Sequence, residues 1–248
     1  MDKKLLTHIT AWANDIAQAV EEAPDAVVPG CPGWRLRDLG GHVVAVARLW
    51  TDVVAADGSI DGPIVSVEAA DRDMPGLVRT ATADLLDTLG NASPDTRAWS
   101  WWGDTTARAI PRRVLHEMAV HRCDAQRALG RPPQMDPAIA ADGVEEFFEV
   151  IVHLNPSSPP DVAGTVTFDL TDVGRRVRVT TTPPDVPALS TSDEDADATV
   201  EGAALDVLLV LWRRLDPAEV QVTGDVALVE RLVAYPYLGR SGTDEATS

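Results

Sequence analysis

Three side chains in this sequence pair metal-binding chemistry with helical spacing: Glu117 and His121, four residues apart, and His42 far upstream. From Ile110 the pattern Ile110, Val114, Met118, Ala125, Ala128 marks the apolar stripe of a helix, and Glu117 and His121 fall on that stripe. An ionised carboxylate at a core position costs several kcal/mol unless a cation or a hydrogen-bonded partner compensates it. At i, i+4 the imidazole lies beside that carboxylate on one helix face. His42 comes three residues after Leu39 and four before Val46, at the edge of a second apolar stripe, so it faces the same kind of interior. Two imidazoles and one carboxylate make a tripod with an open fourth position, as in catalytic rather than closed structural zinc sites. The expectation is one divalent metal ion. Zinc leads on ligand type, and iron, cobalt or nickel suit the same donors. The spacing equally accommodates a buried Glu–His hydrogen-bonded pair with His42 as an ordinary half-buried histidine.

Other residues border this set. Asp124, three residues after His121, is expected at the rim of the stripe, where it orients a ligand, binds substrate or is simply solvated. His116 points to the opposite side of the helix and is left out. Cys123 also points away and has no visible electropositive setting, so no cysteine nucleophile is expected. Gly40 and Gly41 precede His42 inside a helix at a cost of about 1 kcal/mol each relative to Ala, which hints at close backbone approach or ligand access. Trp99, Trp101 and Trp102 precede Gly103-Asp104 and either roof a pocket or pack as a hydrophobic cover. Trp34, in Cys31-Pro-Gly-Trp34, reads first as a packed turn.

Helices must position these groups. One carries Leu5, Ile9, Trp12, Ile16 and Ala19, and a second Leu36, Leu39, Val43, Val46, Trp50 and Val53. A third is expected from an Asp73 cap to Gly90, the fourth from about Pro111 to Leu129, and a fifth from an Asp136 cap with Pro137 in its first turn. Residues 1–155 thus suit an antiparallel helical bundle. Asn155-Pro-Ser-Ser-Pro-Pro160 breaks the pattern, and 156–163 reads as a linker. Beyond it the period changes to two: Val166, Phe168 and Leu170 alternate with polar residues, as do Val177 and Val179 after an Asp172-Val-Gly174 turn, which predicts a β-hairpin. A strand at Ala198–Val200, a helix over Leu205–Leu215, a strand at Val220–Val222 and a helix from Asp225 complete a smaller α+β domain over 164–238. The run Ser192–Asp197 reads as a solvated acidic loop, and residues 239–248 as a disordered tail. The fold class is α+β overall.

With 39 acidic against 21 basic side chains the formal charge is −18, which offers no electrostatic footprint for nucleic acid. No stretch fits a signal peptide or membrane span, and Cys31 and Cys123 form no disulfide framework, so a cytoplasmic protein without nucleic-acid or membrane partners is expected, as monomer or homodimer.

The string Cys31-Pro-Gly-Trp-Arg-Leu-Arg-Asp-Leu-Gly-Gly-His42, together with Leu115-His-Glu-Met-Ala-Val-His-Arg-Cys-Asp-Ala125, resembles the mycothiol-dependent maleylpyruvate isomerase family of the DinB-like superfamily. The second half is similar to that family's C-terminal domain, related to sterol-carrier-like folds, through Ala196-Asp-Ala-Thr-Val-Glu-Gly202 and Leu208-Leu-Val-Leu-Trp-Arg-Arg-Leu215. The resemblance implies His42, Glu117 and His121 as metal ligands. It also implies a role for Arg214, which would reach toward an anionic substrate or thiol, with Arg213 adjacent, while Asp124 stands as a candidate catalytic residue from its place beside the stripe. The family commonly has Trp where this chain has Cys123. The implied cofactors are one divalent metal and mycothiol or another low-molecular-weight thiol, and the implied reaction is isomerisation or S-transfer on a small electrophile. Two alternatives stand beside it. A zinc hydrolase would need Asp124 as its base, and a non-catalytic module would bind a hydrophobic ligand or partner around a structural metal.

Overall fold

The computed structural model describes residues 3–59, 73–154, 159–192, 194–236 and 238. The expected linker falls partly, and the expected tail wholly, outside these residues. The chain divides into two compact units, one running to Pro133 and the other starting at Gln134.

Among the described residues, the first unit is built on four helices: α1 (Lys3–Glu22), α2 (Leu36–Ala55), α3 (Met74–Asn91) and α4 (Ile110–Ala128). Most of the stripes expected on α1 and α2 are buried, with Ile9, Ile16, Leu36, Leu39 and Val43 at 0% exposure and Leu5 and Val46 half-buried. Asp73 caps α3 by accepting the Gly76 N–H at 3.0 Å. Pro111 sits in the first turn of α4, and Gly130, at φ +69°, follows its end in the left-handed conformation that glycine tolerates best. Gly40 has a packing reason rather than one of ligand access. A Cβ there would lie 2.8 Å from Met74 Cγ and 3.2 Å from a Val20 methyl, so glycine lets α2 close onto α3 and α1. At Gly41 a Cβ would meet only Met74 Cε at 3.8 Å, ordinary contact. Between α3 and α4 a two-residue strand pair, β1 (Arg97–Ala98) and β2 (Thr105–Thr106), carries the tryptophans between its strands.

The second unit opens with α5 (Pro137–Glu149), capped by Asp136 as expected. Its place corrects the five-helix bundle. α5 packs on α6 (Ala204–Leu211) and on β4 (Arg175–Thr181) and β5 (Ala188–Leu189), with Phe148 5.3 Å from Phe168 and Phe147 5.8 Å from Trp212. Periodicity identifies an amphipathic helix but not the surface its apolar face will cover.

The hairpin is β3 (Gly164–Leu170) with β4, antiparallel in the register Val166↔Val179 and Phe168↔Val177, turned at Gly174 with φ +60°. β6 (Ala198–Gly202) pairs parallel to β3, and β7 (Gln221–Gly224) antiparallel to β6, giving the order β5-β4-β3-β6-β7. Val166, Phe168, Leu170, Val177, Val179 and Val200 form the buried face, met by α6 and α7 (Val226–Ala234). The opposite face is polar, and the acidic run beside it is the expected solvated loop, its described carboxylates exposed. The Glu194 carbonyl accepts from Arg178, Asp197 accepts the Thr165 N–H at 2.8 Å, and Glu194 and Asp195 help line a cleft of about 520 Å³ there. α6 is shorter than expected, since Arg213 turns left-handed at φ +57° and ends the helical path at Leu211.

Candidate metal centre

Glu117 and His121 lie one turn apart on α4, and α2 brings His42 to them. His42 Nε2 is 2.7 Å and His121 Nε2 3.2 Å from the same oxygen, Glu117 Oε1. All three donor atoms lie within 4.8 Å of one another. The three residues chosen from spacing therefore meet at one point. Side-chain exposure falls from 31% at His42 through 13% at Glu117 to 7% at His121, so the cluster is approached from the His42 end. The donor set, two imidazole nitrogens and one carboxylate oxygen converging from two helices, fits a borderline divalent ion such as zinc.

The supporting groups were less legible. Arg113, one turn before Glu117 and 2% exposed, donates from Nη2 to Glu117 Oε2 at 2.5 Å. It was missed because an arginine in a helix is expected to be solvated; its i, i+4 spacing to Glu117 was the available signal. Asp124 is not at a solvated rim but at 0% exposure, where its Oδ2 accepts from His121 Nδ1 at 3.0 Å and from Cys31 Sγ at 3.5 Å. The stripe misplaces it because α4 is buried around most of its circumference, Val120, Cys123 and Asp124 included. Cys31 was missed as a functional neighbour because its contact spans 93 positions. Trp34, in the same turn, lies with its ring centroid 5.0 Å from that of His42 and 6.3 Å from that of His121.

The electrostatics follow from these contacts. Burial raises the Glu117 pKa, but Arg113 and the hydrogen bonds from His121 and His42 outweigh it and hold the carboxyl well below its ordinary value. Burial works the other way on His121, and there the hydrogen bonds to Asp124, Cys31 and Glu117 with the Glu117 charge prevail, holding the imidazole well above its ordinary value. Since an ionised Asp124 only accepts, Nδ1 of His121 carries a proton and Nε2 is the atom offered to a cation.

The remaining candidates separate. His116 and Cys123 are buried at 1% and 0% exposure, outside both clusters of possible metal ligands found among the described residues. Trp101 and Trp102 pack on Trp50 of α2 at centroid distances of 5.5 and 5.6 Å, a hydrophobic cover. In the second unit Arg213 donates to the carbonyls of Val233, Ala234 and Pro236 and so ties down the end of α7. Arg214 donates to the Trp212 carbonyl at 2.8 Å, with its guanidinium 5.6 Å from the Trp212 ring centroid. Both arginines thus donate to backbone carbonyls.

Residues 5–126 match the family model described as the mycothiol maleylpyruvate isomerase N-terminal domain, and residues 138–231 the model of the C-terminal domain of the same isomerase. Among solved structures, the crystal structure of the mycothiol-dependent maleylpyruvate isomerase is similar, with a TM-score of 0.55 at 13% identity, and so is a histidine-to-alanine mutant of it, with 0.58 at 14%. Each comparison covers 84% of this chain and 87% of the other. No curated protein matches. No helix among the described residues is long and apolar enough to cross a membrane.

Proposed function

Since the chain belongs to the mycothiol maleylpyruvate isomerase family, a family of isomerase enzymes, we propose that it is a metal-dependent isomerase that uses mycothiol as thiol cofactor on a small electrophile. The observation that carries the metal is the convergence of two histidine Nε2 atoms on Glu117 Oε1. His42, Glu117 and His121 would hold one divalent ion, zinc by ligand type. Such an ion supplies a position at which a thiol is held as thiolate at neutral pH. A thiol so held would supply a nucleophile that can also leave again, the chemistry needed for double-bond isomerisation without net consumption of the thiol.

The chain's own residues prepare that position. Arg113 occupies Glu117 Oε2 and leaves Oε1 directed at the histidines. Asp124 fixes the His121 ring by its Nδ1–H, so it serves as a positioning residue. Trp34 lies beside both imidazoles and walls one side of the cluster. The hydrolase alternative loses support here, because its general base would be Asp124, which is fully buried and already accepts two hydrogen bonds. S-transfer differs only in whether the thiol stays attached, and product analysis separates it from isomerisation.

The test combines elemental analysis with turnover of maleylpyruvate in the presence and absence of mycothiol. About one metal ion per chain, lost in His42→Ala, and isomerisation that requires thiol are expected. Metal-free protein after chelator-free purification, with His42→Ala unchanged in content, defeats the metal centre. Turnover indifferent to thiol defeats the cofactor assignment alone.

A further inference from the structure

Behind the metal cluster a short turn touches His121 from two directions. The backbone of Cys31 is fixed on both sides, its N–H donating to Val28 at 3.1 Å and its carbonyl accepting from Trp34 at 2.9 Å, while Gly33 at φ +89° supplies the left-handed position the turn requires. The Cys31 side chain is 7% exposed, and its Sγ lies 3.5 Å from Asp124 Oδ2, the same oxygen that accepts from His121 Nδ1 at 3.0 Å. Three residues on, Trp34 lies nearly parallel to the His121 ring, at 29°. A carboxylate at 0% exposure needs donors in place of water. A thiol is a weak donor, so it can hold the Asp124 oxygen without competing strongly for the lone pairs that His121 uses.

We propose that Cys31 is a positioning residue for the metal centre: its S–H aims the Asp124 carboxylate at His121 Nδ1, and the turn thereby sets which imidazole nitrogen faces the metal. Cys31 Sγ reaches Asp124 Oδ2 and is itself a hydrogen-bond partner of His121, Asp124 Oδ2 accepts from His121 Nδ1, and the opposite ring nitrogen, Nε2, faces Glu117 and His42. The consequence for metal affinity rests on the proposed metal centre, whereas the hydrogen-bond chain exists without it.

The test uses two readouts on the full-length protein. In the metal-free form, nitrogen-15 NMR of the histidine rings reads the Nδ1–H of His121, and chelator competition with zinc reads affinity. Cys31→Ala should move the His121 Nδ1 signal toward its position in Asp124→Asn and weaken zinc binding about tenfold, the low end of the loss seen for partners behind metal ligands. Cys31→Ser, which restores a donor, should recover most of both. Cys123→Ala, which removes a thiol at 0% exposure outside the clusters, should move neither, which separates positioning from general packing. Cys31→Ala with a wild-type Nδ1 signal, or Cys31→Ser no better than Cys31→Ala in either readout, overturns the proposal. If the wild-type protein binds no zinc, the metal centre fails, and the Nδ1 signal alone still decides for or against Cys31.

Discussion

Helix α4 and the sheet of the second unit bury comparable elements by opposite rules. On β3 and β4 every second residue, Val166, Phe168, Leu170, Val177 and Val179, faces the core, while Asp169 and Arg176 pair at 2.9 Å on the far side, Arg176 largely in solvent. On α4 the chain instead buries Arg113, His116, His121 and Asp124 among its apolar residues. Alternation of the first kind needs only hydrophobic burial to be stable. The second kind is stable where its polar groups satisfy one another, as those in the cluster around Glu117 do in a linked set. The difference teaches where this chain trades stability for chemistry: the sheet follows the binary pattern and α4 departs from it at the positions that converge on a cation site.

That contrast can be broken most sharply in the sheet. Phe168→Ala removes a side chain at 1% exposure that packs against Phe148 and should cost about 4 kcal/mol in chemical denaturation. Metal content per folded chain should stay at the wild-type value; a parallel loss of metal would show that the two regions are not separable in this way. Next in size, Arg113→Met should destabilise the metal-free protein by about 3 kcal/mol, since Glu117 would keep its buried charge without the arginine. Adding zinc should return part of that stability, because a cation replaces the lost one. A loss that zinc leaves untouched would make Arg113 a packing residue and no more.

The smallest expected effect is a slope with pH. His121 has a folded pKa above its ordinary 6.5, so its contribution to the metal-free protein is full below that value and lost as pH rises through the folded pKa. Glu117 has a folded pKa below its ordinary 4.5, so its contribution is present above that value and lost as pH falls through the folded pKa. Zinc affinity should run the other way on the alkaline side, rising until His121 has lost its Nε2 proton, because metal and proton compete for that atom. Chelator competition from pH 6 upward checks the sign, and an affinity that stops rising at the ordinary histidine pKa would contradict the raised value.

Much of this was legible because both periods are strong. The stripes of α1 and α2, the caps Asp73 and Asp136 and the Val166–Leu170 alternation are local signals, and each element formed where its signal lay. The three candidate ligands were readable for the same reason, as polar residues at apolar positions. What was not readable depends on neighbours remote in sequence. Periodicity could not assign α5 to the sheet, since Phe147 and Phe148 would serve any apolar surface. Nor could it place Asp124, because a rim exists only on a helix with a solvent side, and α4 is buried nearly all round. Cys31 needed the fold itself to cross 93 positions. The end of α6 turned on Arg213 adopting a left-handed conformation that residue type alone does not favour.

The close approach at Gly40 sets a mechanical tolerance on the cluster. His42 rides on α2 two residues beyond the point where that helix rests on Met74, and a single Cβ at position 40 would stand 2.8 Å from Met74 Cγ, inside normal contact. Relief by moving the helix would carry the His42 ring with it, and productive site geometry tolerates displacements of only about 0.5 Å. Glycine at this position therefore works as a gauge. It fixes how far α2 stands from α3, and through that spacing the reach of His42 toward Glu117.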